Sequence, residues 1–394
     1  MRPVIRLNQN CIINFLILEI SCTAIKYFLV QAIPGGYVYN SIANVFVSLL
    51  LILVLLPALA AAFKENPTSV GLMMLGFVLI ISSQMLIFPE NASAILSNLV
   101  KMAGMSLGCL ITANTLTEYE IFYYKLVKVS KIIICFAMLE FITHEFFGVA
   151  GSDQLVDYDM SFGFFLAVPT ITHFAEICSD KKRKRWDVVF FSLGTAMAVM
   201  MGSRGSILAI FIGCVLCYYQ KSKLRNIRDI VGVIFCCVVA VFIYINYRQI
   251  SIFVYKILMD FGIESRFFSM LAYGDITYSA GRDVLQEGVV TLISQHPWIG
   301  SGMLSNTSSH NIFYEVILFY GYPIGIILIA IIVFEWGKTI FVEDFFKRRL
   351  MAIFVSYAAV DSLLNLTVLG KDMFWIYLGL ALSSKLYVKR NKVG

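Results

Sequence analysis

The sequence predicts an all-α polytopic membrane protein, with about twelve transmembrane helices and one long outer loop that contains short interfacial helices. Three observations lead there. The 394 residues are 59% hydrophobic and only 14% charged, whereas soluble domains average about 25% charged. Apolar runs recur at the length of about 20 residues that a helix needs to cross the hydrocarbon. The basic residues collect on one side of the resulting layout. The whole chain, 1–394, is expected to form a single integral membrane domain.

Taken in order, the runs lie near 11–33, 41–63, 70–88, 91–111, 127–147, 161–178, 186–202, 204–220, 229–247, 311–334, 350–369 and 372–388. The first follows Arg2 and Arg6 and shows no small-residue cleavage site, so it reads as a retained span. The turn after residue 202 is tight, which makes the seventh and eighth spans a hairpin. With the N-terminus in the cytoplasm, 23 of the 31 basic residues fall inside, among them the run Lys181 to Arg185 and the C-terminal KLYVKRNKVG. That placement makes the basic run a topology anchor and gives no sign of a nucleic-acid partner. The nine cysteines lie in or at the ends of apolar runs and read as small hydrophobes.

One outer segment stands apart. Residues 248–310 form the only long loop, about sixty residues, with two moderately apolar stretches, IFVYKILMDFGI and DVLQEGVVTLI. Long loops in compact proteins are usually functional, and this one holds Arg248, Arg266 and Arg282. Arg282 opens an amphipathic run in which Val284, Leu285, Val289, Leu292 and Ile293 make an apolar stripe; the run ends at QHPWIGSG, where Pro297, Gly300 and Gly302 force a turn. A basic residue in a first helical turn opposes the helix dipole, so Arg282 points to a role other than helix stability.

Arg204, in MGSRGSILAI, sits at the outer end of the hairpin between small residues, Gly202, Ser203, Gly205 and Ser206. A membrane-level arginine is costly unless it is paired or faces water, and a helix start there supplies free N–H groups suited to an anion. Among the four histidines, His144 and His173 lie near span ends among apolar residues, and His296 precedes Pro297 in a turn; all three read as structural. His310, in SSHNIFYEVILFYGYPIG, lies at the outer mouth of the tenth span, where Ser308 or Ser309 is suited to cap the helix. Its imidazole titrates in the range useful for proton transfer. Inside that span, Gly321 to Gly325 forms a break suited to close packing against a neighbouring helix. Arginines match phosphate oxygens bidentately, so several of them with one histidine on one face fit a diphosphate site with a general base. No metal-ligand cluster, Walker loop or dinucleotide fingerprint is present, and no metal or cofactor is expected.

In this order and on this topology, SRGSILA, then GRDVLQEGVVTLISQHPWIGSGM, then SSHNIFYEVILFYGYPIG resemble the O-antigen polymerase and O-antigen ligase superfamily. The motif-bearing part covers 155–335. The resemblance implies a metal-independent glycosyltransferase of the bacterial inner membrane, with cytoplasmic termini and a periplasmic active site. It uses a glycan carried on undecaprenyl diphosphate as donor and inverts the anomeric centre. Carried over, Arg204 and Arg282 bind the donor diphosphate and His310 is the catalytic base; Arg266 and Arg248 are further candidates, and Asn311 orients His310. In a polymerase the acceptor is another lipid-linked repeat unit; in a ligase it is the lipid A core. A flippase and a chain-length regulator are partners implied by the family alone. The competing class is a solute transporter, for which Lys26, Lys101, Glu140 and Asp361 within spans would line a cavity; no internal repeat supports it.

Overall fold

The computed structural model describes residues 7–33, 39–147, 160–179, 185–200, 204–222, 246, 248–260, 262, 266–273, 282–305, 311–364, 369 and 371–383. Regular structure among them is helical throughout, without a strand. The helices are α1 (Leu7–Ala32), α2 (Asn40–Glu65), α3 (Pro67–Ile87), α4 (Ala92–Lys101), α5 (Cys109–Thr115), α6 (Tyr119–Phe147), α7 (Met160–Ile177), α8 (Arg185–Met200) and α9 (Arg204–Ser222), followed by α10 (248–260), α11 (Arg266–Tyr273), α12 (Arg282–Gln295), α13 (Ile312–Lys338), α14 (Phe345–Leu364) and α15 (Asp372–Leu382). Met102–Gly108, a wide π-type turn, joins α4 to α5.

Eleven of the twelve expected runs overlap helices, with α6 beginning eight residues before its run and the run at 91–111 divided between α4, the π-type turn and α5; of the run at 229–247 only residue 246 is among the described residues. Among the described residues, five stretches are long and apolar enough to cross a membrane: α1, α2, α3, Pro89–Thr115 and α13. The segment 248–310, read as a loop with interfacial helices, contains α10, α11 and α12.

The chain divides into two compact units, one of Met1–Thr23, Asn44–Lys125 and Ala280–Gly394, the other of Ala24–Ala43 and Leu126–Ser279. In the first, close approach depends on glycines. Gly379 of α15 lies against the Leu110 carbonyl of α5, and Gly108 against the side chain of Leu55 in α2, the small-residue contact that membrane helices favour. Gln9 closes the corner after α5: its amide donates to the Thr115 carbonyl at 3.1 Å and accepts from the Thr117 N–H at 2.9 Å. α14 is largely enclosed, with Leu350 through Ser356 all buried. Near its other end Asp361, which the transporter reading would set in a cavity, is paired with Lys371 at 3.2 Å.

In the second unit α7 is the central helix, packed by both α8 and α9. Gly194 of α8 meets Thr170, and Gly213 of α9 meets Ile171, so both neighbours approach α7 at positions without a side chain. His173 of α7 is fully buried, as its apolar surroundings in sequence imply. Its Nδ1 lies 3.0 Å from the Asp187 carboxylate of α8, its ring stacks on Phe190, and Lys131 of α6 approaches the same carboxylate at 3.7 Å. The seven described cysteines are free thiols.

Candidate functional site

Arg204, Arg266 and Arg282 are the first described residues of α9, α11 and α12. Arg204 is exposed, followed by buried Gly205 and Ser206. Arg248, in α10, donates from Nε to the Ala272 carbonyl of α11 at 3.2 Å, and Tyr255 meets Tyr273 edge-on, so α10 and α11 form one local packing unit. Arg204, Arg248 and Arg266 belong to the second compact unit; Arg282 and Asn311 belong to the first. His310 and the two serines before it lie outside the described residues.

The start of α13 differs from the expected cap. Asn311 has extended dihedrals, and its Oδ1 accepts from the Phe313 N–H at 2.9 Å, so Asn311 is the N-cap in place of Ser308 or Ser309. The helix begins at Ile312, and only the residue immediately before it is placed to cap. The Asn311 side-chain oxygen is thus engaged on the helix.

The break inside α13 is real, and its neighbour is a loop. Gly321 has φ 72° and ψ 175°, a region open essentially to glycine alone. In an unbroken helix the Tyr322 N–H would donate to the Leu318 carbonyl. Here that bond is exchanged for two others: Tyr322 donates to the Pro297 carbonyl at 2.8 Å, and the Leu318 carbonyl accepts from the Ser301 N–H at 2.6 Å. The HPWIGSG turn therefore satisfies the polar groups that the break exposes, as an apolar environment demands. The approach is backbone to backbone. A Cβ on Gly300 would fall 2.6 Å from the Leu318 carbonyl oxygen, and one on Gly321 would strike the Trp298 backbone. At Gly325 the atoms nearest to an added Cβ belong to Ile317, on the other side of the break in the same element. α12 adds the expected apolar stripe: Val289 and Ile293 are buried with Met303, Leu318 and Phe319, and Leu292 packs beside them, although Leu285 is exposed. His296 is exposed, and its carbonyl accepts from the Gly300 N–H.

Two residues of this assembly escape a motif reading, Gln84 in α3 and Asn91 in the short turn before α4. Gln84 Oε1 accepts from the Met303 N–H at 2.8 Å, and Asn91 Nδ2 donates to the Ser301 carbonyl at 3.0 Å. The only sequence signal was an amide inside an apolar run and another beside Pro89.

Residues 189–330 match the family model described as O-antigen ligase. This bears out the resemblance to the O-antigen polymerase and ligase superfamily for a segment that runs from α8 into α13. It contains Arg204, Arg248, Arg266, Arg282, His310, Asn311, the 296–304 loop and Gly321, and leaves out Gln84 and Asn91. No curated protein matches the chain. The family implies a glycosyltransferase-like membrane enzyme of O-antigen biosynthesis, with a lipid-linked polysaccharide substrate.

Proposed function

Proceeding from that family match, we propose that this protein is a repeat-unit polymerase for O-antigen or a related surface polysaccharide. It transfers the growing glycan from undecaprenyl diphosphate to a new lipid-linked repeat unit at the periplasmic face of the inner membrane. The observation that carries this reading is the set of arginines, Arg204, Arg266 and Arg282, at the first described residues of α9, α11 and α12 within the matched segment. Guanidinium forks pair with phosphate oxygens, and a helix N-terminus adds partial positive charge in the same place.

In the proposed reaction a hydroxyl oxygen of the acceptor attacks the anomeric carbon of the donor glycan. The bond from that carbon to the diphosphate oxygen breaks, its electron pair leaves with the diphosphate, and the configuration inverts. His310 takes the hydroxyl proton, and Arg204 and Arg282, supported by Arg266, stabilise the charge growing on the diphosphate. This electrostatic stabilisation is the largest contribution expected. Arg248, bonded to α11, supports the helix that Arg266 opens, and Asn311 sets the start of α13 beside His310 in sequence.

A second reading, an O-antigen ligase with the lipid A core as acceptor, is favoured by the description of the matching family. Deletion of the gene separates the two. Loss of a polymerase leaves single repeat units attached to the core. Loss of a ligase leaves long polymer on the lipid carrier and none on the core. Unaltered glycans, with lost uptake of a labelled solute into vesicles, would overturn both in favour of a transporter.

A further inference from the structure

The loop at 296–304 is gripped from two sides. On one side it fills the break of α13 through Ser301 and Pro297. On the other it meets the corner between α3 and α4. There Phe88 and Asn91 crowd Gly302 so closely that a Cβ would lie 2.5 Å from the Phe88 ring and 2.7 Å from Asn91 Nδ2. Gly302 itself has φ 81°. Flanking it, the Asn91 amide holds the Ser301 carbonyl and the Gln84 amide holds the Met303 N–H. Both amides are at least nine-tenths buried. In an apolar environment a backbone group that loses such a partner is costly, so the two bonds fix the loop in one conformation. A loop so fixed also fixes what it bonds to, the Gly321 break, and the first helical turns between that break and Asn311.

We propose that Gln84 and Asn91 are positioning residues for the lipid-diphosphate transferase site: through Met303 and Ser301 they hold the 296–304 loop in the α13 break and so set the register of the α13 N-terminus. This inference rests on the glycosyltransferase reading for its activity, though not for its geometry. The two residues act at a distance from the chemistry, touching neither donor nor acceptor. Small misplacement of a reacting group is enough to lower a rate by up to about a hundredfold, which is why a corner outside the matched segment controls it.

The test uses the full-length protein with three substitutions. Asn91→Asp exchanges the donor for an acceptor facing the Ser301 carbonyl. Gln84→Leu removes the acceptor for Met303. Gln84→Glu keeps an acceptor oxygen. Hydrogen exchange read by mass spectrometry on detergent-purified protein should show faster exchange across 298–303 and 318–322 in Asn91→Asp and Gln84→Leu, with Gln84→Glu close to wild type. In a strain lacking the gene, glycan output per folded protein should fall about tenfold for the first two and stay within about twofold for Gln84→Glu. Unchanged exchange in those segments overturns the inference whatever the glycans do. Faster exchange with normal output overturns it as well, provided deletion abolishes the glycan. If deletion itself leaves the glycans unaltered, it is the glycosyltransferase reading that fails. A drop in output that merely follows the amount of folded protein reduces both residues to structural supports and overturns the positioning role.

Discussion

The loop at 296–304 is held by backbone groups and primary amides, whereas the contact of α6, α7 and α8 is held by polar side chains centred on the Asp187 carboxylate, with Lys131 and His173 against it. The difference separates two uses of polarity in an apolar fold. In the first, glycines bring main chains together and hydrogen bonds are exchanged between a broken helix and a loop. Nothing there is charged, and the geometry admits no added atom. In the second, an ion pair ties helices that already pack through Gly194 and Gly213. The loop lies within the segment that matches the family, while Lys131, His173 and Asp187 all precede it. A backbone interlock specifies a position; a charge cluster chiefly adds stability.

The comparison breaks most readily at Gly321. Gly321→Ala forces an L side chain into a glycine-only region and sets its Cβ on the Trp298 backbone. Unfavourable dihedrals and overpacking together should cost about 3 kcal/mol, seen as a large fall in the thermal midpoint of the purified protein. A midpoint equal to wild type would mean that the break is not locked by the loop. Next comes Asp187→Ala, which leaves buried His173 without its partner. Leaving a buried hydrogen-bonding group unsatisfied costs about 1–3 kcal/mol, and the loss of the partly exposed Lys131 contact adds little, so the expected cost is about 2 kcal/mol. Activity per folded molecule should be unchanged, and a specific activity loss would erase the contrast drawn above. Asn311→Ala removes one helix cap and should cost about 1 kcal/mol, read in the same melting assay. Arg204→Ala, at an exposed helix start, should shift stability by no more than about 0.5 kcal/mol while abolishing glycan output.

Helix positions were largely legible because a run of apolar residues bounded by polar or glycine-rich turns has few alternatives in lipid. The described parts of α8 and α9, Arg185–Met200 and Arg204–Ser222, fall on the runs at 186–202 and 204–220. The break at Gly321 was legible too, as GYPIG, but its partner was not. The contact with Pro297 and Ser301 is made by main chain about twenty residues away, and main chain leaves no mark in a sequence beyond the glycines themselves. The cap at Asn311 was misplaced by two or three residues because Ser308, Ser309 and Asn311 all have capping side chains, and only the helix start decides among them. Gln84 and Asn91 were invisible for a related reason: one amide in an apolar run looks the same whether it is tolerated or essential. His173 of α7 and Asp187 of α8 pair between the two helices, and neither residue type announces the other. The arginines at 204 and 282 were visible because a cation opening a helix is a local anomaly.

The central claim is that Arg204, Arg282 and His310 build polymer from a lipid-diphosphate donor. It is tested most directly by the glycan length distribution in a deletion strain carrying Arg204→Ala, Arg282→Ala or His310→Ala at wild-type membrane levels. The account predicts that each variant accumulates single lipid-linked repeat units and makes no long chains. Long chains of normal length in all three variants would contradict it.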